Sequence, residues 1–118
     1  MMKGLLIRQP WIDLILSGEK TWEIRGSKTK IRGTIALIQS QSGLIVGTAD
    51  LVGCTPKLTP EDMNKAQKLH QIHEPFIDST MPYDNTYAWI LLGAKRLPKP
   101  IPYEHPQGAV IWVNLENT

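Results

Sequence analysis

The chain has 118 residues and a formal net charge of +2, which is enough length for one domain with a single core and permits, without requiring, a nucleic-acid partner. The single Cys54 excludes an internal disulfide, and no spacing of cysteine and histidine is typical of zinc binding, so we expect neither a metal nor a cofactor. No apolar run approaches the roughly 20 residues that cross a membrane or resembles a signal peptide, which predicts a cytoplasmic protein.

The N-terminal segment predicts a buried strand followed by a short helix. Residues 5–7 form an apolar run, as in a buried strand. Pro10 suits the first turn of the helix, and Gly18 supplies a left-handed end. Between them lies an apolar stripe at helical spacing, formed by Trp11, Leu14 and Ile15.

Residues 21–25 predict a strand with two chemically different faces. Thr21, Glu23 and Arg25 share one face, whereas Trp22 and Ile24 share the other. Lys20 lies at the start of this strand, from which its ammonium can reach the polar row. One interpretation is a surface ladder of charges, worth less than ~1 kcal/mol per pair. The other is a functional site, because polar clusters held on a rigid scaffold beside loops often bind or catalyse.

The middle of the chain predicts two strands and a helix. Residues 31–39 are apolar on both faces, which places this strand in the centre of the sheet. In the strand at residues 44–52, Gly47 indicates a bulge. Thr59, Pro60 and Asp62 are typical of a capped helix start, and the inner helical face is predicted to carry Met63, Ala66, Leu69 and His70.

The C-terminal part predicts a long loop, two strands and a proline-rich segment. A loop as long as residues 73–86 is more often functional or mobile than filler. Residues 87–92 and 109–115 are predicted as strands, and residues 95–106 as an extended edge segment, because Pro98, Pro100 and Pro102 cannot donate ladder hydrogen bonds. The predicted fold is mainly β with two or three short helices (α+β), a single domain over residues 1–118 built as a partly open β-barrel.

Three stretches, in the right order, resemble the ASCH (activating signal cointegrator homology) family. They are Q-P-W at residues 9–11 with G-x-K-x-x-E-x-R at residues 18–25, R-G-T-I-A at residues 32–36, and Y-A-W at residues 87–89 running into the proline-rich segment. Gln107 and Gly108 before an apolar strand also match. The resemblance implies a PUA-like β-barrel and a cleft, lined by the signature, that accepts RNA or a nucleobase-like ligand.

The resemblance assigns roles to the signature residues. Lys20 and Arg25 are expected to bind a phosphate or carbonyl oxygen. Glu23 is expected to bind a base or to act as the counter-ion of the two cations, and Thr21 lies beside them. Gln9 is expected to hydrogen-bond a base edge. Trp11 either stacks on a base or packs in the core, and its place on the apolar helical stripe favours core packing. Ser40, Gln41 and Gln107 fall near the expected cleft mouth.

A basic run follows the signature strand. Five cations fall within thirteen positions, of which Lys28, Lys30 and Arg32 lie beyond the strand and are hereafter the basic loop. The run is either a solvated face or a phosphate-binding surface.

Enzymatic interpretations remain open. One branch of the family hydrolyses N4-acetylcytidine with a Lys, a Thr three residues later and a Glu, and another cleaves single-stranded RNA. Lys20 matches the lysine, but Glu23 occupies the threonine position, Thr21 is the alternative hydroxyl, and only Glu61 and Glu74 are candidates for the partner carboxylate. A third interpretation is a protein-interaction module that uses the basic loop and the proline-rich segment.

Overall fold

The computed structural model describes residues 2–115, which form one mixed six-stranded sheet with short helices against it. The strands are β1 Met2–Ile7, β2 Trp22–Arg25, β3 Gly33–Gln39, β4 Leu44–Cys54, β5 Tyr87–Pro102 and β6 Trp112–Leu115. The helices are α1 Trp11–Leu16, α2 Pro60–Lys65 and α3 Gln67–His70, with a single 3-10 turn at Asp78–Thr80. None of the helices in this range is long and apolar enough to cross a membrane. The prediction of a mainly β fold with short helices is confirmed.

The strands are arranged in the order β2-β5-β4-β3-β1-β6. β1 and β3 are parallel, joined by a crossover through α1 and β2, and the other neighbouring pairs are antiparallel. The crossover places α1 against the sheet, where it packs on β5.

β3 lies inside the sheet with both faces covered, as its two apolar faces predicted. Ile35 and Leu37 join the larger core cluster beneath α1, whereas Ala36 and Ile38 join a second cluster with residues of β6 on the opposite face. The same alternation divides β1, so period-two side chains contribute to two separate cores. The strand begins at Gly33, two residues later than predicted.

Helix α1 is rotated relative to the predicted apolar stripe. Its buried residues are Ile12, Ile15 and Leu16, whereas Trp11 and Leu14 are half-buried. The predicted stripe was therefore wrong in phase by about one residue. The physical reason is that Trp11 faces a cavity while Ile12 and Leu16 pack under the sheet.

The β4–β5 ladder contains the predicted bulge and one unpredicted feature. Gly47 sits at a register shift, where a Cβ would meet the Leu16 side chain and lie 2.5 Å from the carbonyl oxygen of Lys95. The predicted break after residue 92 is wrong, because β5 continues to Pro102. Pro98 and Pro100 fall in the bulged stretch between Arg96 and Ile101, where the ladder requires no N–H from them.

The helical region begins as predicted and then departs from the pattern. The Thr59 hydroxyl accepts from the Asp62 N–H, and the Asp62 carboxylate accepts from the Thr59 N–H, which is a capping box. The helix is interrupted at Ala66, between α2 and α3, so the residues after Ala66 do not continue the buried face that Met63 begins. His70 is buried and Leu69 is 41% exposed, which corrects the prediction that Leu69 faces inward.

The sheet curls without closing into a full barrel. β2 and β6 are its edges, and β6 covers only the second half of the predicted last strand. Across the gap, the Arg25 guanidinium of β2 donates from Nη2 to the carbonyl oxygen of Leu6 in β1, at 2.7 Å. We name this line of approach between β2 and β1 the seam.

Candidate functional site

A cavity of about 560 Å³ opens at the seam. This volume lies within the range of small-ligand pockets. Its walls come from β1 and the residues after it, the start of α1, β2, the turn after β3, and residues 72–83. The lining residues are Leu6, Arg8, Trp11, Lys20, Glu23, Ile24, Arg25, Ser40, Ile72, Pro82, Tyr83 and Val110. Three cations and one carboxylate leave this lining positively charged.

Lys20 is buried at the base of the cavity, with 1% of its surface exposed. Its Nζ donates to the carbonyl oxygen of His70 at 2.6 Å and lies 4.9 Å from the centre of the Trp11 ring. Burial lowers the pKa of Lys20 from 10.5 to about 8; the Glu23 charge opposes this shift and Arg25 adds to it. Lys20 is therefore mostly protonated at neutral pH and is unusually easy to deprotonate for a lysine.

His70 fixes the carbonyl that holds Lys20. The Ile72 N–H donates to His70 Nδ1 at 2.9 Å, so the proton resides on Nε2, which donates to the carbonyl oxygen of Met63 at 2.6 Å. Burial lowers the pKa of His70, an effect that the hydrogen bond to Met63 partly offsets. The neutral ring thus ties α2 to Ile72, which is itself part of the cavity wall.

Glu23 and Arg25 form a two-point ion pair inside the cavity. Arg25 Nε and Nη2 donate to the same oxygen, Glu23 Oε2, at 3.0 and 2.7 Å. Within residues 2–115, Arg25 Nη1 and Glu23 Oε1 have no hydrogen-bond partner in the protein. Every buried side-chain nitrogen or oxygen in this range does have a partner, so these two atoms are accessible to solvent. One donor of Arg25 and one acceptor of Glu23 are therefore left for the polar atoms of a ligand.

Two aromatic side chains flank these charges. Trp11 is half-buried and its ring carries the Lys20 ammonium on one face. Tyr83 comes from the long loop after α3 and lies directly against Gly26, where a Cβ would come within 2.7 Å of Tyr83 Cδ1. Gly26 is therefore required for the close approach of Tyr83. Trp89 lies behind the cavity, stacked on Trp112 and 5.4 Å from the Arg25 guanidinium carbon.

The structure brings together some of the predicted residues and separates others. Trp11, Lys20, Glu23, Arg25 and Ser40 line the cavity. Gln9 is exposed beside it and donates to Asp13 Oδ2 at 3.0 Å, while Thr21 lies at the start of β2 with its backbone paired to Leu69 and Leu91.

The basic loop also lies outside the lining. Its three side chains are exposed; Lys28 Nζ lies 5.7 Å from the centre of the Tyr87 ring, and Arg32 donates to the carbonyl oxygens of Thr29 and Ile31. A ligand held in the cavity reaches these cations only if it extends over the rim.

The carboxylates considered for hydrolysis are elsewhere. Glu61 is exposed and paired with Lys65 Nζ at 3.0 Å, and Glu74 is exposed on the loop after α3. Among the lining residues, Ser40 carries the aliphatic hydroxyl, Tyr83 the phenolic hydroxyl and Glu23 the carboxylate. For residues 2–115, no group of three His, Cys, Asp or Glu side chains is close enough to hold a metal ion.

Sequence reasoning missed Arg8, Tyr83 and Val110 as wall residues. Arg8 follows β1 directly and precedes the Q-P-W stretch, which is a usable signal. Tyr83 lies on the loop whose length indicated a function. Val110 carries no pattern in the sequence that marks it, since its position depends on how the C-terminal segment folds back over β1.

Taken together, the fold and the cavity define a small, mainly β domain with a polar cleft at the seam of an incompletely closed sheet. The chain belongs to the ASCH domain family, whose sequence model matches residues 5–101. A search of the curated proteins gave no match.

Several solved structures share this fold. A serine-to-alanine variant of the ASCH protein of Zymomonas mobilis superposes with a TM-score of 0.73 at 14% identity, covering 98% of this chain and 89% of that one. The Zymomonas mobilis ASCH crystal structure gives a TM-score of 0.69 at 16% identity, with 98% and 88% covered. A tyrosine-to-phenylalanine variant of the same protein gives a TM-score of 0.65 at 14% identity, covering 98% of this chain and 91% of that one.

Proposed function

We propose that this ASCH domain binds RNA or a modified nucleoside in the cavity at the seam. The observation that carries the proposal is the convergence of Lys20, Glu23 and Arg25 in one cavity with two aromatic rings. A cleft with a positive excess attracts phosphate, and aromatic faces suit bases. A cytoplasmic location and a single-domain organisation are parts of the same proposal.

Each charged group has a role that its hydrogen bonds leave available. The Lys20 ammonium uses one proton on His70 and has two more for a phosphate or carbonyl oxygen. Arg25 Nη1 is left as a donor and Glu23 Oε1 as an acceptor for polar atoms of the ligand. Because Glu23 holds Arg25 through two bonds, the pair is arranged before the ligand arrives, which reduces the entropy lost on binding.

The alternative function is hydrolysis of an acylated nucleoside or of single-stranded RNA. The lowered pKa of Lys20 favours it, because an amine that titrates near pH 8 can serve in acid–base catalysis. Against it, Glu23 stands where the amidohydrolase branch has threonine and is neutralised by Arg25. Thr21, Glu61 and Glu74 lie outside the cavity lining. We therefore rank binding above hydrolysis.

The test is a binding titration with wild type and two charge-matched variants. Fluorescence anisotropy follows a labelled single-stranded RNA and, by competition, cytidine, N4-acetylcytidine and their monophosphates. Arg25→Gln removes the guanidinium from the cavity, and we expect affinity to fall by at least about tenfold, the scale of one charge-assisted hydrogen bond. Lys68→Gln removes an exposed cation on α3 and serves as the control.

The two variants also separate the proposal from general electrostatic attraction. Equal loss of affinity in Arg25→Gln and Lys68→Gln would mean that RNA follows net charge and ignores the cavity. Absence of binding by any RNA or nucleoside to folded wild type would overturn the proposal. The protein-interaction alternative would then be tested by replacing the basic loop and the proline-rich segment.

A further inference from the structure

A second cavity of about 490 Å³ adjoins the first. The two share Leu6, Ser40 and Val110 as a common wall. Val110 is 78% exposed, the highest value among the exposed large apolar residues of the described range. The two cavities are therefore neighbouring parts of one groove, and Leu6 and Val110 form an apolar ridge between them.

The second cavity differs from the first in its chemistry. Its own lining residues are Gln41, Gly43, Tyr103, His105 and Ala109. The first cavity carries three cations and a carboxylate, whereas the second offers an amide, an imidazole, a phenol and apolar surface. A neutral aromatic group suits this lining better than a phosphate does.

Tyr103 and His105 are held rigidly in the second cavity. His105 Nε2 lies 2.9 Å from the carbonyl oxygen of Ala109 and so carries the proton, which leaves Nδ1 to accept from the Tyr103 hydroxyl at 2.7 Å. Burial raises the pKa of Tyr103, which keeps that hydroxyl protonated and donating. The Tyr103 backbone N–H donates to the carbonyl oxygen of Gly43, so both ends of the residue are fixed.

Gln41 also lines the second cavity, in a backbone conformation that few residues other than glycine adopt, with φ at +67°. Its primary amide supplies a donor and an acceptor, as base-edge recognition needs. A fixed aromatic ring and a primary amide in one cavity are the groups that stacking and reading a base require.

We propose that the second cavity binds the base adjacent to the one held at the seam, so that the ligand is a single strand of at least two nucleotides. This inference rests on the proposed function of the first cavity. Tyr103 stacks the second base, Gln41 contacts its edge, and the sugar and phosphate between the two bases cross the ridge of Leu6 and Val110. A free nucleoside fills only half of the groove.

The experiment measures the Kd of wild type for the four mononucleotides, the four homodinucleotides and dinucleotides with one abasic residue at either end. Dinucleotides should bind on the order of tenfold more tightly than mononucleotides, the scale of one stacked base. One of the abasic dinucleotides should lose that gain. The gain should persist at raised salt, since it comes from a neutral contact.

Variants identify the residue responsible. Tyr103→Ala should abolish the gain and leave mononucleotide affinity unchanged, while Tyr103→Phe, which keeps the ring, should retain most of it. In case the alanine variant unfolds, NMR on wild type gives an independent measurement. The Tyr103 ring and His105 imidazole signals should shift with dinucleotide and not with mononucleotide.

Three results would overturn this inference and leave the first cavity's function intact: equal affinity for mono- and dinucleotides, full retention of the gain by both abasic ligands, or an unaltered gain in folded Tyr103→Ala. Failure of every nucleotide and of longer RNA to bind would instead overturn the proposed function, and this inference with it.

Discussion

Replacing Lys20 by methionine removes a charge that the fold holds at an energetic cost. Burial lowers the pKa of Lys20 from 10.5 to about 8, and this difference corresponds to roughly 3 kcal/mol that disfavours the ammonium in the folded chain at neutral pH. Methionine has a similar length and suits the face of the Trp11 ring. It leaves the His70 carbonyl without its donor, which costs about 1–3 kcal/mol.

The expected result for Lys20→Met at pH 7 is a free energy of unfolding between unchanged and about 2 kcal/mol higher, with RNA binding lost. The pH dependence is the sharper readout. Between pH 8 and 10.5 the unfolded chain binds the Lys20 proton more tightly than the folded chain, so wild-type stability gains a contribution as pH rises. The free energy of unfolding of the variant minus that of wild type should fall by about 2.5 kcal/mol between pH 7 and pH 10, so that wild type is the more stable protein at pH 10.

Urea unfolding followed by tryptophan fluorescence measures this difference, and groups common to both proteins cancel in it. Lys68→Met, at an exposed position, is the control and should change stability by less than ~0.5 kcal/mol at every pH. A stability difference between Lys20→Met and wild type that does not vary with pH would show that the pKa of Lys20 is the same in the folded and the unfolded chain. A loss of more than about 2 kcal/mol at pH 7 would also contradict the prediction, because the ammonium would then be a net stabilising group.

Three further predictions address other parts of the molecule. Replacing the three cations of the basic loop by serine should weaken binding to all RNA sequences alike. The slope of log Kd against log salt concentration should also become smaller, by roughly 0.7 for each phosphate that is no longer neutralised. An unchanged slope would exclude a role of the basic loop in phosphate binding. Wild type should release little or no cytidine from N4-acetylcytidine, because Glu23 is bound to Arg25; turnover on the order of 1 s⁻¹ that Glu23→Thr does not improve would reverse the ranking of binding and hydrolysis. Gly47→Ala should lower the free energy of unfolding by roughly 1–3 kcal/mol. Gly53→Ala on the same strand is the matched control, because a Cβ there would lie 3.4 Å from its nearest neighbour, Ile90 Cδ1. Equal effects of the two substitutions would mean that close packing at Gly47 does not limit stability.

The features that the sequence predicted well are those determined by neighbouring residues. The capping box at Thr59 needs only residues three apart, and the bulge at Gly47 follows from a glycine inside a strand. The central position of β3 was predictable because both of its faces are apolar. These signals are local, so no knowledge of the tertiary structure was needed.

The failures depend on contacts between distant parts of the chain. Lys20 was predicted to swing its ammonium towards the polar row of β2, but that ammonium is bound by a carbonyl fifty residues away and buried by Trp11. The length of β5 could not be predicted because Pro98 and Pro100 normally end a strand, and only the register of β4 reveals that they occupy a bulge. The signature located Lys20, Glu23 and Arg25, whereas Tyr83 could be found only once the loop had been placed against Gly26.

The seam has a consequence for how such a domain can change over time. A fully hydrogen-bonded barrel would require the two edge strands, β2 and β6, to pair with each other, and this pairing would draw β2 across the space of the cavity. Between the described strands β2 and β1, the hydrogen bond from Arg25 Nη2 to the Leu6 carbonyl oxygen crosses the seam in place of such pairing. Substitutions that tighten the barrel by drawing these strands together would therefore erase the pocket. A more tightly closed barrel and an open cavity at the seam are therefore mutually exclusive in this fold.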